Sequence, residues 1–259
     1  EPTGGEIILN GHEITNLSLK EIRPMRAKMQ MIFQDPISSL SPRMKVSALL
    51  LEPFAIHDKN VENPKQKVEE LLNMVGLSMD QADKYPHQLS GGQARRVSIA
   101  RALALSPDIL IADEPTAGLD VSVAAGILNL LKDLRDKLNL TYIIITHDLN
   151  VISYIADRVA VMYLGKFVEI ADTEDLLSNP KHPYTEALLS AVSVPDPSLR
   201  GKQQRIILEG EAPNPRKFPS GCPFHLRCRY TKDYCITNAP SLGEVVNGES
   251  HLVSCHFPK

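Results

Sequence analysis

The residues best suited to chemistry lie close together in the middle of the chain. Leu89-Ser90-Gly91-Gly92-Gln93 opens an apolar pattern of Val97, Ile99-Ala100 and Leu103-Ala104 that has helical spacing. A small-residue turn at a helix start presents backbone N–H groups and the positive end of the helix dipole, an arrangement suited to phosphate. Downstream, Pro107-Asp108 precedes the short run Ile109-Leu110-Ile111-Ala112, which predicts a buried parallel strand ending in two carboxylates. Ligands of α/β sheets bind at that C-terminal edge. There Asp113 suits a hydrated magnesium ion, and Glu114 suits the orientation of a water for attack on phosphorus. Taken singly, a Ser-Gly-Gly is a flexible turn and an Asp-Glu is a solvated helix start. Their order and spacing carry the argument.

Two further motifs follow, Ala117-Gly118-Leu119-Asp120 and Thr146-His147-Asp148. With these in order after the Leu-Ser-Gly-Gly-Gln turn and the Asp113-Glu114 strand, the chain resembles the ATP-binding subunits of ABC transporters, with their signature, Walker B strand, D-loop and histidine switch. The resemblance implies an α/β, ABC-type nucleotide-binding domain with a RecA-like parallel sheet core and a helical subdomain, taking ATP and magnesium and hydrolysing ATP. It implies that Gln34, at the end of the strand Lys28–Phe33, touches magnesium and the attacking water. Glu114, His147 and Gln34 would be catalytic, and Asp113 with Gln34 would hold the magnesium. It also implies a head-to-tail pair in which Ser90, Gly91, Gly92, Gln93 and Asp120 reach across to the γ-phosphate held by the partner. No Gly-x-x-x-x-Gly-Lys-Ser/Thr occurs in the 259 residues. Since Pro2-Thr3-Gly4-Gly5-Glu6 falls after the Walker A helix in that family, the chain is expected to be N-terminally incomplete and inactive alone.

The elements that must position these residues are readable from periodicity. Glu6–Leu9 and Asn10-Gly11 predict a strand and a hairpin turn. Lys28–Phe33 predicts a buried strand stopped by Pro36. Val46–Ile56 and Lys65–Val75 have helical spacing, within a helical subdomain of about 37–104 whose surface, by the resemblance, receives a helix of a membrane partner. Val121–Leu138 predicts an amphipathic helix, and Thr141–Thr146 a fully buried strand, so strand, helix and strand make a parallel unit. Arg158–Tyr163 and Lys166–Glu169 flank Leu164-Gly165 as a hairpin that closes a first domain of 1–172.

From Thr173 the composition shifts, giving a second, loop-rich region of 173–259. His182-Pro183-Tyr184-Thr185 opens a short helix, a Pro-rich stretch begins at Pro195, and Gly210-Glu211-Ala212-Pro213-Asn214-Pro215 precedes Gly221-Cys222-Pro223-Phe224-His225. This tail resembles that of oligopeptide and dipeptide importer ATPases. All four cysteines lie in it, with five, six and nineteen residues between them. A segment with little apolar core needs a staple, and Cys222, Cys228, Cys235 and Cys255 suit either zinc or an iron–sulfur cluster. Spacing leaves both open; the importer resemblance implies a [4Fe–4S] cluster. His225, His251 and His256 lie nearby as substitute ligands.

Bulk composition bounds the rest. A hydrophobic content of 43% allows a substantial core, and a net charge of −3 without a basic run argues against nucleic acid as a partner. No apolar run reaches the eighteen or so residues needed to span a bilayer, so membrane association is expected through a partner. The expected partners are a second ATPase subunit, a paralogue by the Gln34-Asp35-Pro36 wording, two transmembrane permease subunits and, indirectly, a substrate-binding protein. The expected place is the cytoplasmic face of the membrane. Two rival readings are a soluble ABC-class ATPase with a non-membrane partner and a catalytically inert ABC subunit.

Overall fold

The computed structural model describes residues 2–192, 205–211, 213–214, 216–244 and 250–259, so the stretch from Pro195, Ala212 and Pro215 lie outside the described residues. Two compact units divide at His147/Asp148. The first contains β1 (Ile8–Leu9), β2 (His12–Glu13), α1 (Leu19–Arg26), β3 (Met29–Ile32), α2 (Pro36–Ser39), α3 (Val46–Ile56), α4 (Pro64–Met74), α5 (Gly91–Leu103), β4 (Ile109–Asp113), α6 (Val121–Leu138) and β5 (Thr141–Ile145). The second contains α7 (Leu149–Ile155), β6 (Arg158–Tyr163), β7 (Lys166–Asp172), α8 (Thr173–Ser178), α9 (Pro183–Ser190), α10 (Asp233–Thr237), β8 (Gly243–Glu244) and β9 (Leu252–Val253).

Local chemistry starts most helices of the first unit. Ser18 and Glu21 close a capping box on α1, while Asp35, Asn63 and Asp120 accept backbone N–H bonds at the starts of α2, α4 and α6. Asn139, at φ 52°, ends α6 in the left-handed conformation that asparagine tolerates. Helix α5 is the hub. Its buried residues, Ala94, Arg95, Val97, Ser98, Ile99, Ala100, Ala102 and Leu103, lie all round it rather than along one stripe. Helices α2, α3, α4 and α6 and strand β3 all pack against it.

Strands β3, β4 and β5 form a parallel sheet in that order. Register places Ile32 beside Ala112, and Ala112 beside Ile144. Pleating then sorts the faces: Ile32, Leu110 and Ala112 are buried, whereas Met31 and Ile143, flanking Ile111 in the next row, are exposed. The expectation that β5 is buried on both faces is therefore not met. Its alternate residues Thr141, Ile143 and Ile145 are exposed because the described helices cover one side of the sheet.

The second unit is built on an antiparallel sheet ordered β6-β7-β9-β8. The expected hairpin forms, with β6 and β7 paired antiparallel from Arg158 opposite Asp172 to Tyr163 opposite Lys166. The outer edge of the seven-residue β7 offers unpaired backbone groups, and β9 takes them, with Glu169 opposite Val253 and Ile170 opposite Leu252. Val159, Val161, Tyr163, Val168, Ala171, Leu176 and Phe224 make its core. Tyr163, Tyr184 and Phe224 meet as tilted or edge-on rings with centroids 4.8–5.5 Å apart.

Candidate active site

The parallel register brings the chemistry to one edge. Gln34 lies two residues beyond Ile32 on β3, Asp113 and Glu114 end β4, and His147 lies two residues beyond Ile145 on β5. All four thus lie at the C-terminal ends of three adjacent strands. Asp113 follows Ile109 and Ile111 in the pleat and so lies on the open face of the sheet.

Glu114 is turned out of the strand by a φ of 45°, a conformation a non-glycine residue adopts at a cost of about 1–3 kcal/mol unless its surroundings hold it. They do. Its N–H donates to Ile145 O at 2.8 Å, and its carbonyl accepts from Ala117 N at 3.1 Å. The carboxylate accepts from Thr146 Oγ1 at 3.2 Å, from His147 N at 3.1 Å and from His147 Nδ1 at 2.6 Å. The side chain of Glu114 is 15% exposed and that of His147 86%. Because the carboxylate only accepts, Nδ1 carries the proton, and a second donation from Nε2 requires the imidazolium form.

The signature turn is occupied with capping. Ser90 Oγ accepts from Gln93 N at 3.3 Å, while Gln93 Oε1 accepts from Ser90 N at 3.0 Å, a closed capping box at the start of the thirteen-residue α5. Packing requires the second of the turn's glycines and leaves ordinary contact distance at the first. A Cβ on Gly91 would sit 3.6 Å from Leu119 Cδ2, and one on Gly92 only 2.8 Å from Val123 Cγ1, which a stiff β-branched side chain cannot vacate cheaply. Asp120 accepts from Val123 N at 2.9 Å and caps α6. Signature and D-loop are therefore in contact within this chain. Hard oxygen donors, the Asp113 carboxylate and the Gln34 amide, are the right chemistry for magnesium.

Sequence reasoning missed Thr146 as a partner of Glu114 and read nothing into the arginines of α5. Arg95 is 1% exposed and donates to Phe33 O at 2.9 Å and to Ala117 O at 3.3 Å. Arg96 donates to Val75 O, and Arg101 to Ser39 O at 2.8 Å. Their spacing looks like a solvated basic face, and only the burial of α5 distinguishes them.

In the tail, Cys222, Cys228, Cys235 and Cys255 are free thiols lining one cavity of about 20 Å³, with His182, His225 and His256 also at its wall. Burial pushes the Cys222, Cys228 and Cys255 thiols above their ordinary value, and neighbouring cysteines add to it. The expected metal centre is not supported by this arrangement. No group of three or more His, Cys, Asp or Glu side chains among the described residues is set to hold a metal ion, and the cavity has room for about one water. His225 Nδ1 lies 2.8 Å from Cys222 O, and His256 Nε2 lies 2.9 Å from Asn238 O. His251 turns to Glu169, 2.7 Å away. Glu169 is wholly buried and also accepts from Lys181 N at 2.6 Å and His182 N at 3.0 Å. Its signal in the sequence is one acid among the inward residues of β7.

Comparison with known proteins agrees with this geometry. Residues 1–117 match the model of a family described as ABC transporter, and residues 168–235 match one described as oligopeptide/dipeptide transporter, C-terminal region. The oligopeptide transport ATP-binding protein AppF of Bacillus subtilis (strain 168) is 46% identical over 99% of this chain and 78% of its own length. The dipeptide transport ATP-binding protein DppF of Haemophilus influenzae is 45% identical over 98% of this chain and 77% of its own. Among solved structures, the ATP-binding cassette MJ0796, a dimer in a post-hydrolysis state bound to ADP and Pi, has a TM-score of 0.60 and 30% identity over 67% of this chain and 75% of that one. With its strand-end carboxylates, capped signature helix and matching tail, the chain belongs to the ABC transporter ATP-binding family, in the group that carries the oligopeptide/dipeptide transporter C-terminal region.

Proposed function

We propose that this chain is the ATP-binding and ATP-hydrolysing subunit that powers an ABC importer for di- or oligopeptides. The observation that carries the reading is the single sheet edge where Gln34, Asp113, Glu114 and His147 end three adjacent parallel strands, in a chain whose tail matches the oligopeptide/dipeptide transporter region. The names of its relatives, peptide transport ATP-binding proteins, speak for an importer over a soluble ATPase with a non-membrane partner.

In this reading residues 1–172 form the ATPase domain and residues 173–259 the importer extension. Asp113 and Gln34 hold magnesium, which screens the phosphate charges. Glu114 orients the attacking water and takes up its proton, its carboxylate aimed by Thr146 and His147. His147 in the imidazolium form adds an Nε2–H donor for developing negative charge on the γ-phosphate. Ser90, Gly91, Gly92, Gln93 and Asp120 face the site of a partner ATPase, a paralogue. Two permease subunits supplied by a substrate-binding protein complete the assembly at the cytoplasmic face of the membrane; no helix among the described residues is long and apolar enough to cross it.

The test of the function is co-purification followed by transport. The chain expressed with its neighbouring membrane subunits should co-purify with them and, in vesicles, support ATP-dependent uptake of labelled di- or oligopeptides. Recovery with ribosomes, or vesicles that hydrolyse ATP without moving any peptide of a mixed library, overturns it.

A further inference from the structure

The side chain of Arg95 has no place in the chemistry above, yet it is among the largest fully buried side chains of the protein, at 1% exposure. Its Nη1 donates to Phe33 O at 2.9 Å and its Nη2 to Ala117 O at 3.3 Å, while Nε has no hydrogen-bond partner. This is a poor device for stability. A buried guanidinium serving two neutral carbonyls leaves one N–H unsatisfied, and well-packed apolar side chains of similar volume commonly hold a core as well or better.

What the guanidinium does supply is geometry. Its nitrogens are fixed in one plane, so two carbonyls bonded to it cannot shift independently. Phe33 immediately precedes Gln34. Ala117 begins the D-loop, its N–H bonded to Glu114 O, and that loop ends at Asp120, the cap of α6. Arg95 itself lies two residues beyond Gln93 on α5. One side chain therefore ties the loop of Gln34 to the loop between Glu114 and Asp120, from the helix that carries the signature. The neighbouring arginines reach elsewhere, Arg96 to Val75 and Arg101 to Ser39.

We propose that Arg95 is a positioning residue that locks the Gln34 loop to the Ala117–Asp120 loop, so that a shift of the glutamine at this chain's own site is passed to the aspartate facing the partner's site. The catalytic part rests on the function proposed above; the mechanical part does not. A lysine places one compact charge where two directed donors are needed, and glutamine cannot span both carbonyls as a planar fork.

The experiment compares the parent with Arg95→Gln and Arg95→Lys, in the full chain and in the assembled transporter. Hydrogen exchange on the full chain should show amides of both the Phe33–Asp35 and Ala117–Asp120 segments exchanging at least about threefold faster in each variant, with the interior of α5 unchanged. In the assembly, kcat should fall about tenfold in Arg95→Gln with KM for ATP within about twofold, and Arg95→Lys should fall less. Faster exchange in only one loop, or in neither, overturns the proposal. So does a parent-like kcat in a folded Arg95→Gln assembly. Should Arg95→Gln fail to fold, the lysine variant is read by the same two-loop criterion. If the parent assembly shows no ATPase activity, the proposed function fails, and the exchange result still decides the link between the loops.

Discussion

Each of the two units holds a carboxylate–imidazole pair, and the two pairs are treated in opposite ways. In the first, Glu114 and His147 stand at strand ends, and their contact joins a 15% exposed carboxylate to an 86% exposed imidazole. In the second, Glu169 and His251 form a hydrogen-bonded pair whose side chains are 0% and 7% exposed, with two further N–H groups on the same carboxylate. A group that must meet a ligand needs a partner that aims it and leaves room beside it. A group that holds a fold needs every lone pair filled, because an unfilled one in the interior is expensive. Glu169 fits the second description: it ties β7 to the start of α9 and to the residue before β9.

That contrast can be broken by substitution. The largest effect expected is on stability, from Glu169→Ala. Losing the carboxylate leaves the N–H groups of Lys181 and His182 and the ring of His251 without their partner, and about 3–5 kcal/mol of stability should be lost. Denaturant titration and limited proteolysis should place the loss in the second unit. A loss under about 1 kcal/mol would mean that water fills the site and that the burial contrast has been overdrawn.

The next effect is a pH dependence confined to the second unit. Burial pushes His182 down to about 4 from an ordinary 6.5, against the pull of Glu169, and its Nδ1 accepts from Tyr184 N at 3.0 Å, which requires that nitrogen to be unprotonated. With the folded value depressed, the unfolded chain binds more protons between pH 6.5 and 4, so stability is complete above that window and is lost as pH falls through it. The shift corresponds to about 3 kcal/mol, seen as a falling thermal midpoint that His182→Gln should flatten. A parent midpoint that falls no more steeply than that of His182→Gln removes His182 as the cause.

In the first unit the matching experiment acts on rate and leaves stability alone. Glu114→Gln keeps size, with one oxygen still accepting from His147 and the amide nitrogen donating to Thr146 Oγ1 in place of the bond the carboxylate received from it. It loses the base, so turnover by the assembled ATPase pair should fall on the order of a hundredfold or more while the thermal midpoint stays within a degree or two. Parent-like hydrolysis would pass the role to His147. The smallest effect is at the signature turn. Ser90→Ala removes half of the capping box on α5 and should cost about 1 kcal/mol. A turnover loss larger than that cost explains would separate a phosphate-facing role for Ser90 from its capping one.

The elements were largely legible in the sequence because each rests on local rules. Val46–Ile56 and Val121–Leu138 are helices with the bounds their periodicity predicts, and Ile109–Asp113 is a parallel strand set by an apolar run too short for a helix. The motif order likewise identified the family, since four motifs in sequence are specific where each alone is not. Tertiary structure decided what local rules cannot carry. Whether β5 is covered on both faces depends on which helices lie over the sheet, and Ile143 and Ile145 turn out exposed. Which strand takes the free edge of β7 is equally non-local: it is β9, about eighty residues on. The four cysteines show the same limit: their confinement to the tail is written in the sequence, but the spacing of their sulfurs and the room between them are set only by how that tail packs. Arg95, Glu169 and His251 look like surface charges in the sequence and are buried because long-range packing closes over them, at distances along the chain where no periodicity survives.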